Sequence, residues 1–468
     1  MNETNQPSST PAIPSRRDFI KTSGKIVAAG ALAGVTLPHV HAAENNTIQI
    51  ALIGCGGRGT GAAGNALSTK KGPVTLSAMV DVFENRLNGS HDTLKGKFND
   101  LVDVPKDRRF IGFDGYKAAM DSMKKGDIAI FTTPLAFRWV HFKYAIEKGL
   151  NVFMEKPVTA DGPTSRRMLE LSDQAKAKNL KCGVGLMSRH ARHLQDLHKR
   201  VQDGEIGDVM LMRGYRCHGP VASAFSKKWP GKPSELLWQI SRFHSFLWAS
   251  GGCYSDFYIH HIDHLCWMKN SWPVKAQGMG GRHYRNSPDG EPWIDQNLDS
   301  YTVEYTFEDG AKFYMHGRCN VGAHPMYFSH VHGTKGMAVA AKTGDYNGPS
   351  STHSGQSPSR ATMKWQSKDY GAENDPYLNE WNDLMDAIRN DKPYNEVPFG
   401  VQASVVTSMG RMAAHTGQEI TYDDMLNHEH ELAPGIDKWT MDSPPPVASD
   451  AEGKYPVPMP GLKKDREY

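Results

Sequence analysis

The sequence has few of the features that mark disulfide-rich, nucleic-acid-binding or membrane-spanning proteins. Its six cysteines are scattered without a C-x-x-C pair, so a disulfide framework is not expected. A net charge of +3 over 468 residues provides no strongly basic surface for nucleic acid or an anionic membrane. The apolar run at 26–37 is short and rich in glycine and alanine, which argues against stable membrane insertion.

Residues 1–43 have the pattern of a twin-arginine export signal. Arg16 and Arg17 precede the apolar run, and Ala42 and Ala43 provide a small-residue cleavage site. The pattern predicts a periplasmic or otherwise exported protein, a partner in the twin-arginine machinery, and a cofactor that is loaded before export and held tightly. An uncleaved anchor or a disordered tail is the alternative. About 425 residues remain, enough for two domains.

A glycine-rich turn follows the first apolar strand, 48–53. Gly54, Gly56 and Gly59 form G-x-G-x-x-G, with Gly57 and Arg58 between the last two glycines. In a dinucleotide-binding loop, these glycines allow the tight turn, the approach of backbone to pyrophosphate, and the packing of the following helix. The pattern alone is weak, because glycine-rich turns are common.

A second apolar strand, 74–80, ends at Asp81, about 20 residues beyond the loop, as the dinucleotide motif requires. A carboxylate there can accept hydrogen bonds from ribose hydroxyls and would repel a 2′-phosphate. The pair of motifs therefore predicts NAD rather than NADP. The alternative is an ordinary turn with a surface aspartate.

Short apolar strands then alternate with helical stretches as far as residue 187. We expect strands at 128–134, 151–154 and 181–187, with helices at 61–70, 83–98, 141–148 and 164–178 between them. This alternation predicts a doubly wound parallel sheet, in which ligands bind beyond the carboxyl ends of the strands. The glycine loop, Asp81, Thr133-Pro134 and Glu155-Lys156-Pro157 all fall at that edge.

Lys156 directly follows a strand and precedes a proline that restricts the backbone. Beside a nicotinamide, its ammonium can hydrogen-bond a substrate hydroxyl and stabilise the alkoxide that develops during oxidation. A solvated loop lysine is the alternative.

A helix predicted at 254–268 places Asp256, His260, Asp263 and His264 on one face. A carboxylate one turn from an imidazole can set its tautomer, and imidazole is a suitable general base for an alcohol proton. Two alternatives stay open from spacing alone. One is a metal site with His260, His264 and the nearby Cys266, and the other is a polar helix with satisfied histidines.

The segment 222–248, just before this helix, is rich in aromatic side chains with polar tips. Trp238, Arg242 and His244 are candidate sugar-binding residues, and Trp229 and Trp248 lie in the same segment. A packed aromatic loop is an equal alternative.

Together these motifs resemble those of the Gfo/Idh/MocA oxidoreductases, the family of glucose–fructose oxidoreductase and inositol dehydrogenase. The resemblance covers nearly the whole chain after residue 43. Further matching positions are His141, Gly183-Val184-Gly185 with Arg189, Gly204-Glu205-Ile206-Gly207, and a late segment at 381–417.

The resemblance implies an α/β protein with an N-terminal Rossmann domain. A C-terminal α/β domain would contain a large open, mostly antiparallel sheet that often carries the oligomer interface, so a homodimer or homotetramer is expected. It also implies that Lys156 is the catalytic lysine, His260 the acid/base and Asp256 an assisting carboxylate, with no metal. Thr133, Pro134, His141 and Glu155 would contribute to the cofactor site, and Arg189 and His261 to the substrate site.

The expected organisation is a signal at 1–43, a Rossmann domain at 44–187, a substrate and oligomerisation domain at 188–426, and a proline-rich tail at 427–468. We expect the tail to wrap over a neighbouring surface. The predicted function is hydride transfer between a sugar or polyol hydroxyl and a tightly bound NAD. An NAD-dependent glycosidase or lyase and a non-catalytic sugar-binding protein are the alternatives.

Overall fold

The computed structural model describes residues 46–283 and 286–468, so the predicted export signal lies outside the described residues. The first sheet has six parallel strands in the order β3-β2-β1-β4-β5-β6. Its strands are β1 Ile48–Ile53, β2 Val74–Asp81, β3 Arg109–Ile111, β4 Ile128–Phe131, β5 Asn151–Met154 and β6 Cys182–Val184. The helices that follow β1 to β5 are α1 Gly57–Leu67, α2 Glu84–Phe98, α3 Gly115–Asp121, α4 Arg138–Lys148 and α5 Gly162–Ala177.

The predicted doubly wound sheet is confirmed, with differences at the element ends. The chain leaves β4 at Phe131 and β6 at Val184, several residues before the predicted ends, because the backbone turns there to form the ligand-facing edge. The short β3 and α3 were not predicted from the sequence, since neither contains a run of apolar residues long enough to be distinctive.

The second sheet has nine strands in the order β14-β13-β12-β11-β7-β10-β9-β8-β15 and is mostly antiparallel, with β7 and β10 as a parallel pair. Its strands are β7 Val209–His218, β8 Lys275–Gly281, β9 Ser300–Thr306, β10 Lys312–Cys319, β11 Met326–Gly333, β12 Gly336–Ala341, β13 Ser351–His353, β14 Met363–Gln366 and β15 Ile420–Thr421. This sheet confirms the predicted α/β class of two unlike sheets.

The remaining helices lie around this second sheet or between the two sheets. They are α6 Arg192–Gln202, α7 Glu235–Ser241, α8 Leu247–Ser250, α9 Gly252–Lys269, α10 Pro376–Arg389, α11 Val397–Thr416 and α12 Tyr422–Asn427. Single 3₁₀ turns occur at Asn99–Leu101, Lys106–Arg108, Leu135–Phe137, Met187–His190, Phe243–Ser245, Arg360–Thr362, Gly371–Asn374 and Ile436–Lys438. No helix among the described residues is long and apolar enough to cross a bilayer.

Buried and half-exposed residues alternate along β9 and β10, so one face of the second sheet is covered and the other is open. The covered face packs on α9 and α11. Both helices are buried on nearly all sides. The six cysteines are buried free thiols.

Helix α10 belongs to the second half of the chain but packs on the first sheet. The indole of Trp381 lies against the ring of Phe153 in β5, with ring centroids 4.5 Å apart. Leu384 and Ile388 share a core with residues of β1 and α1. The chain therefore crosses between the sheets more than once, and the first sheet is completed by residues far from it in sequence.

The C-terminal tail is anchored by a buried ion pair. Arg411 in α11 donates from Nε and Nη2 to the two carboxylate oxygens of Glu467, at 2.8 and 2.9 Å. The same guanidinium donates to the carbonyl of Ala160, at 2.7 Å, and to Oγ of Ser255, also at 2.7 Å. The tail therefore packs on its own chain, and its anchor reaches the segments that contain Lys156 and Asp256.

We expect Glu467→Gln to destabilise the protein by about 3–5 kcal/mol, because the substitution leaves the Arg411 cation buried without its counter-charge. Burial raises the pKa of Glu467, but Arg411 and His415 lower it, and the net pKa lies well below its usual range. The free energy difference should therefore be full near pH 7 and shrink as the pH falls below about 4.3, the ordinary glutamate value.

Urea unfolding at several pH values measures this effect, with the exposed Glu452→Gln as the matched control. Equal stabilities of the two variants at pH 7 would contradict the assigned role of Glu467.

Candidate active site

The turn between β1 and α1 has the geometry of an anion-binding loop. Gly54 has a φ of +99°, and a Cβ on Gly59 would lie 2.0 Å from the carbonyl oxygen of Gly54, so both positions require glycine. A Cβ on Gly56 or Gly57 would meet nothing within 4 Å, which leaves open space above the loop. No side chain caps the start of α1, so its first amides are available to a phosphate.

Asp81 lies at the end of β2, beside this loop. Its Oδ2 accepts a hydrogen bond from the amide of Cys55 at 2.6 Å, and its Oδ1 accepts one from the amide of Phe83 at 2.9 Å. Burial raises the pKa of this carboxyl, and the two amides lower it in part. The carboxylate is thus held in one orientation where a ribose can reach it.

A single cavity joins the glycine loop to Asp81 and to the ends of β4 and α4. The predicted cofactor residues that line it are Gly54, Gly56, Gly57, Arg58, Gly59, Asp81, Thr133, Pro134 and His141. Burial lowers the pKa of His141 to about 3, so its ring is uncharged at neutral pH. The ring stacks on that of Phe137, with centroids 6.0 Å apart, and lines one side of the cavity. The open cradle, the fixed carboxylate and the apolar walls fit a dinucleotide.

Arg58 and Glu155 bind each other. Arg58 Nε donates to Glu155 Oε1 at 2.6 Å, and its guanidinium lies 4.7 Å from the ring centre of Tyr377. Within the described part of the chain, Glu155 and Lys156 are the predicted cofactor residues that do not line the cavity. Glu155 therefore acts on the cofactor site through Arg58, by tying the glycine loop to the end of β5.

Lys156 and Asp256, to which the family resemblance gives catalytic roles, lie in contact. Lys156 Nζ donates to the backbone oxygen of Asp256 at 2.6 Å and lies 3.4 Å from its Oδ1. His244 Nε2 lies 3.3 Å from Oδ2 of the same carboxylate. Burial would raise the pKa of Asp256, but Lys156 and His244 lower it, and the net pKa is below its usual range.

His260 lies one turn after Asp256 in α9 and is buried. Burial lowers its pKa well below 6.5, Asp345 opposes this shift, and Lys156 adds to it. Its Nδ1 has no hydrogen-bond partner among the residues that the structure describes. A neutral imidazole can accept a proton.

Sequence reasoning missed a pair of charged residues, Arg216 and Asp345, that act on the pKa of His260. Arg216 in β7 places Nη1 3.3 Å from both carboxylate oxygens of Asp345, in the loop after β12. His261 Nδ1 also lies 3.3 Å from Asp345, and its ring stacks on Tyr327. No sequence motif identifies Arg216 or Asp345 as site residues. They come close to α9 only because β7 pairs with β11, which is distant in sequence.

The other predicted substrate residues have structural partners. The Arg189 guanidinium forms two hydrogen bonds from Nε and one from Nη2 to the buried Asp263, at 2.7 to 3.1 Å. Trp238 is buried against Phe246 and Tyr455. These contacts account for Arg189 and Trp238 without a ligand, whereas the side chain of Arg242 is exposed.

The polar side chains of α9 bind different partners. His264 Nε2 lies 2.8 Å from Ser329 Oγ, and Asp263 is bound by Arg189. Across residues 46–283 and 286–468, no three His, Cys, Asp or Glu side chains are arranged to hold a metal ion.

The comparison with protein families matches the second half of the chain. Residues 194–339 match the model of the GFO/IDH/MocA C-terminal domain. This segment includes β7 to β11 and α9 with Asp256 and His260. The match supports the resemblance that the motifs predicted.

Two curated relatives are inositol dehydrogenases. The chain is 24% identical over 221 residues to inositol 2-dehydrogenase of Corynebacterium glutamicum, covering 45% of this chain and 57% of the relative. It is 26% identical over 185 residues to scyllo-inositol 2-dehydrogenase (NAD(+)) of Bacillus subtilis, covering 40% and 46%. The matches thus span about half the length of these relatives.

Solved structures share the fold over most of the chain. Levoglucosan dehydrogenase, in complex with NADH and levoglucosan, has a TM-score of 0.61 at 16% identity, covering 81% of this chain and 100% of that one. Aldose-aldose oxidoreductase from Caulobacter crescentus has a TM-score of 0.59 at 17% identity, covering 80% and 100%. Both confirm the α/β architecture of two sheets.

The burial of His260 predicts that its ring stays neutral at acidic pH. Because the pKa is lowered below 6.5, the ring should take up a proton only well below that value. Histidine-labelled protein followed by NMR between pH 8 and 5 measures this, and the spectrum of His260→Asn assigns the signal. A His260 signal that titrates at or above pH 6.5 would contradict the prediction.

Proposed function

We propose that the protein is an NAD-dependent oxidoreductase acting on a hydroxyl of a sugar or polyol, with a tightly held cofactor. The observation that carries this proposal is the contact between Lys156, which follows β5 at the carboxyl edge of the first sheet, and Asp256 in α9, one turn before the buried His260. The same edge of the first sheet forms the dinucleotide cavity. A non-catalytic binding protein would have no need for a lysine, a carboxylate and a neutral imidazole held together in this way.

In the proposed reaction, His260 takes the proton of the substrate hydroxyl while Lys156 donates a hydrogen bond to the oxygen. Lys156 would thereby stabilise the negative charge that develops on that oxygen. Asp256 positions the ammonium of Lys156 and, with His244, keeps the charge of the group balanced. A bound NAD would supply the hydride acceptor.

The preference for NAD over NADP rests on Asp81. Its carboxylate is fixed by the amides of Cys55 and Phe83, so it cannot move away from a 2′-phosphate without losing both hydrogen bonds. The relatives named as NAD(+) dehydrogenase and as the NADH complex support the same cofactor class.

A cyclic polyol or sugar is the substrate class that the relatives favour, since their names specify inositol and levoglucosan. Assembly as a homodimer or homotetramer through the open face of the second sheet is part of the proposal, as is export through the twin-arginine pathway.

Purified protein should release NAD or NADH on denaturation, identified by mass spectrometry, and should reduce its cofactor when a suitable sugar or polyol is added. Lys156→Ala and His260→Ala should retain the cofactor but lose about 10²–10⁴-fold in its rate of reduction, measured at 340 nm, because each removes a group that acts on the reacting hydroxyl.

Lys143→Ala and His324→Ala, at two exposed positions, are the matched controls and should behave as the parent protein. Full activity of either active-site variant would remove the role assigned to that residue. Release of NADP would overturn the role of Asp81. Cleavage of a glycoside without net NADH would identify the glycosidase alternative, and failure to bind any added dinucleotide would support a binding protein.

Replacing Arg16 and Arg17 by lysine should leave the protein in the cytoplasmic fraction of a bacterial host, because the export machinery reads the arginine pair. Cell fractionation and immunoblotting measure the distribution, and replacing Lys21 and Lys25 by arginine is the matched control. Unchanged export of the twin-lysine variant would argue against the twin-arginine pathway.

A further inference from the structure

The cofactor cavity is closed by residues that come from the second half of the chain. Ile240 and Phe243 line the same cavity as the glycine loop and Asp81. They lie in the segment 234–246, which contains α7 and the 3₁₀ turn Phe243–Ser245. We refer to residues 234–246 as the clasp. Two apolar side chains are thus brought to a dinucleotide site by a segment that is far from the Rossmann strands in sequence.

The clasp contacts the first sheet beside Asp81. Arg86 Nη2 donates to the backbone oxygen of Ser241, between the two cavity residues, at 3.4 Å. The same guanidinium lies 4.6 Å from the ring centre of Phe83, whose amide holds the carboxylate of Asp81. Ile240, next to Ser241, therefore adjoins the ribose-binding end of the cavity, where the adenosine half of a dinucleotide would lie. The ring of Phe243 has its centroid 3.8 Å from that of His244 and extends the cover towards the reacting centre.

Hydrogen bonds from the C-terminal tail hold the clasp from behind. Glu235 Oε1 accepts from the amide of Ser449 at 2.9 Å and from the hydroxyl of Tyr455 at 2.6 Å. Gln239 donates from Nε2 to the backbone oxygen of Val447 at 2.8 Å. The part of the clasp that faces away from the cavity is therefore joined to the tail at its first and second turns.

Aromatic packing reinforces this attachment. Trp238 stacks on Tyr455 with ring centroids 6.3 Å apart, and Phe246 meets the same tyrosine edge-on at 4.9 Å. Trp439 of the tail lies 6.2 Å from the ring of Phe137, which lines the cavity. Opening the clasp would separate Trp238 and Phe246 from Tyr455 and expose apolar surface to water.

The clasp also reaches the reacting centre. His244 follows Phe243 and places its Nε2 3.3 Å from Asp256 Oδ2, while its Nδ1 lies 2.9 Å from Ser223 Oγ. A movement of the clasp away from the cavity would take His244 from the carboxylate that faces Lys156. Cover of the cofactor and assembly of the catalytic group thus depend on the same few residues.

We propose that the clasp retains the bound dinucleotide, with Ile240 and Phe243 covering the cavity that holds it and the C-terminal tail holding the clasp closed. The proposal rests on the proposed function, since it requires a dinucleotide in the cavity. It provides a physical cause for a slowly exchanging cofactor: release requires the clasp to leave the tail or to lose its apolar contact with the ligand.

The experiment loads wild-type protein with NADH and measures the rate at which its fluorescence falls after addition of excess NAD. Phe243→Ala should raise this dissociation rate by about tenfold or more, because the substitution removes the apolar cover. Glu235→Ala should raise it by about threefold or more, because two hydrogen bonds to the tail are lost. Phe243→Leu should release NADH almost as slowly as the wild-type protein.

Phe225→Ala is the matched control, since Phe225 is a half-buried aromatic residue of the same chain region that packs on Trp293 outside the cavity. Its dissociation rate should equal that of the wild type. Circular dichroism and thermal unfolding of each variant without cofactor check that it is folded.

Two outcomes overturn the proposal, and they can be told apart. Wild-type release rates in both Phe243→Ala and Glu235→Ala, with NADH bound normally, would overturn the clasp and leave the proposed function intact. Failure of the folded wild-type protein to bind any dinucleotide would overturn both.

Discussion

The buried ion pair between Arg411 and Glu467 is the constraint on which the arrangement of the site depends. A guanidinium removed from water must have its charge and its donors satisfied, and here one carboxylate and two neighbouring segments do so together. One of these segments follows Lys156 at Ala160, and the other precedes Asp256 at Ser255. The last residues of the chain therefore help to set the distance between Lys156 and Asp256.

The same tail has a second connection, through the clasp, to the cofactor cavity. The reacting centre and the cavity are thus supported by one extended segment, although they are built from different sheets. This arrangement suits a site in which a carboxylate, a lysine and a neutral imidazole must lie close together without a bound ligand to organise them. The carboxylate of Asp256 remains charged because Lys156 and His244 face it, and His260 remains neutral because it is buried.

A second carboxylate, Asp345, raises the pKa of His260 and is bound by Arg216. Two acidic groups, Asp256 and Asp345, therefore act on the imidazole, and each of them is paired with a cation. Because each negative charge is offset by a nearby positive charge, burial has the largest effect on the protonation of His260.

The local features could be predicted from the sequence: the glycine loop, Asp81, the parallel strands and the spacing of Asp256 and His260. These features depend on periodicity and on backbone conformations that only glycine adopts freely, and both can be seen within about 30 residues. Other contacts could not be predicted: Arg189 pairs with Asp263, Trp238 packs on Tyr455, and Asp345, Ile240 and Phe243 join the site. These contacts form between residues that are far apart in sequence, and the packing of the two sheets, rather than any local pattern, brings them together.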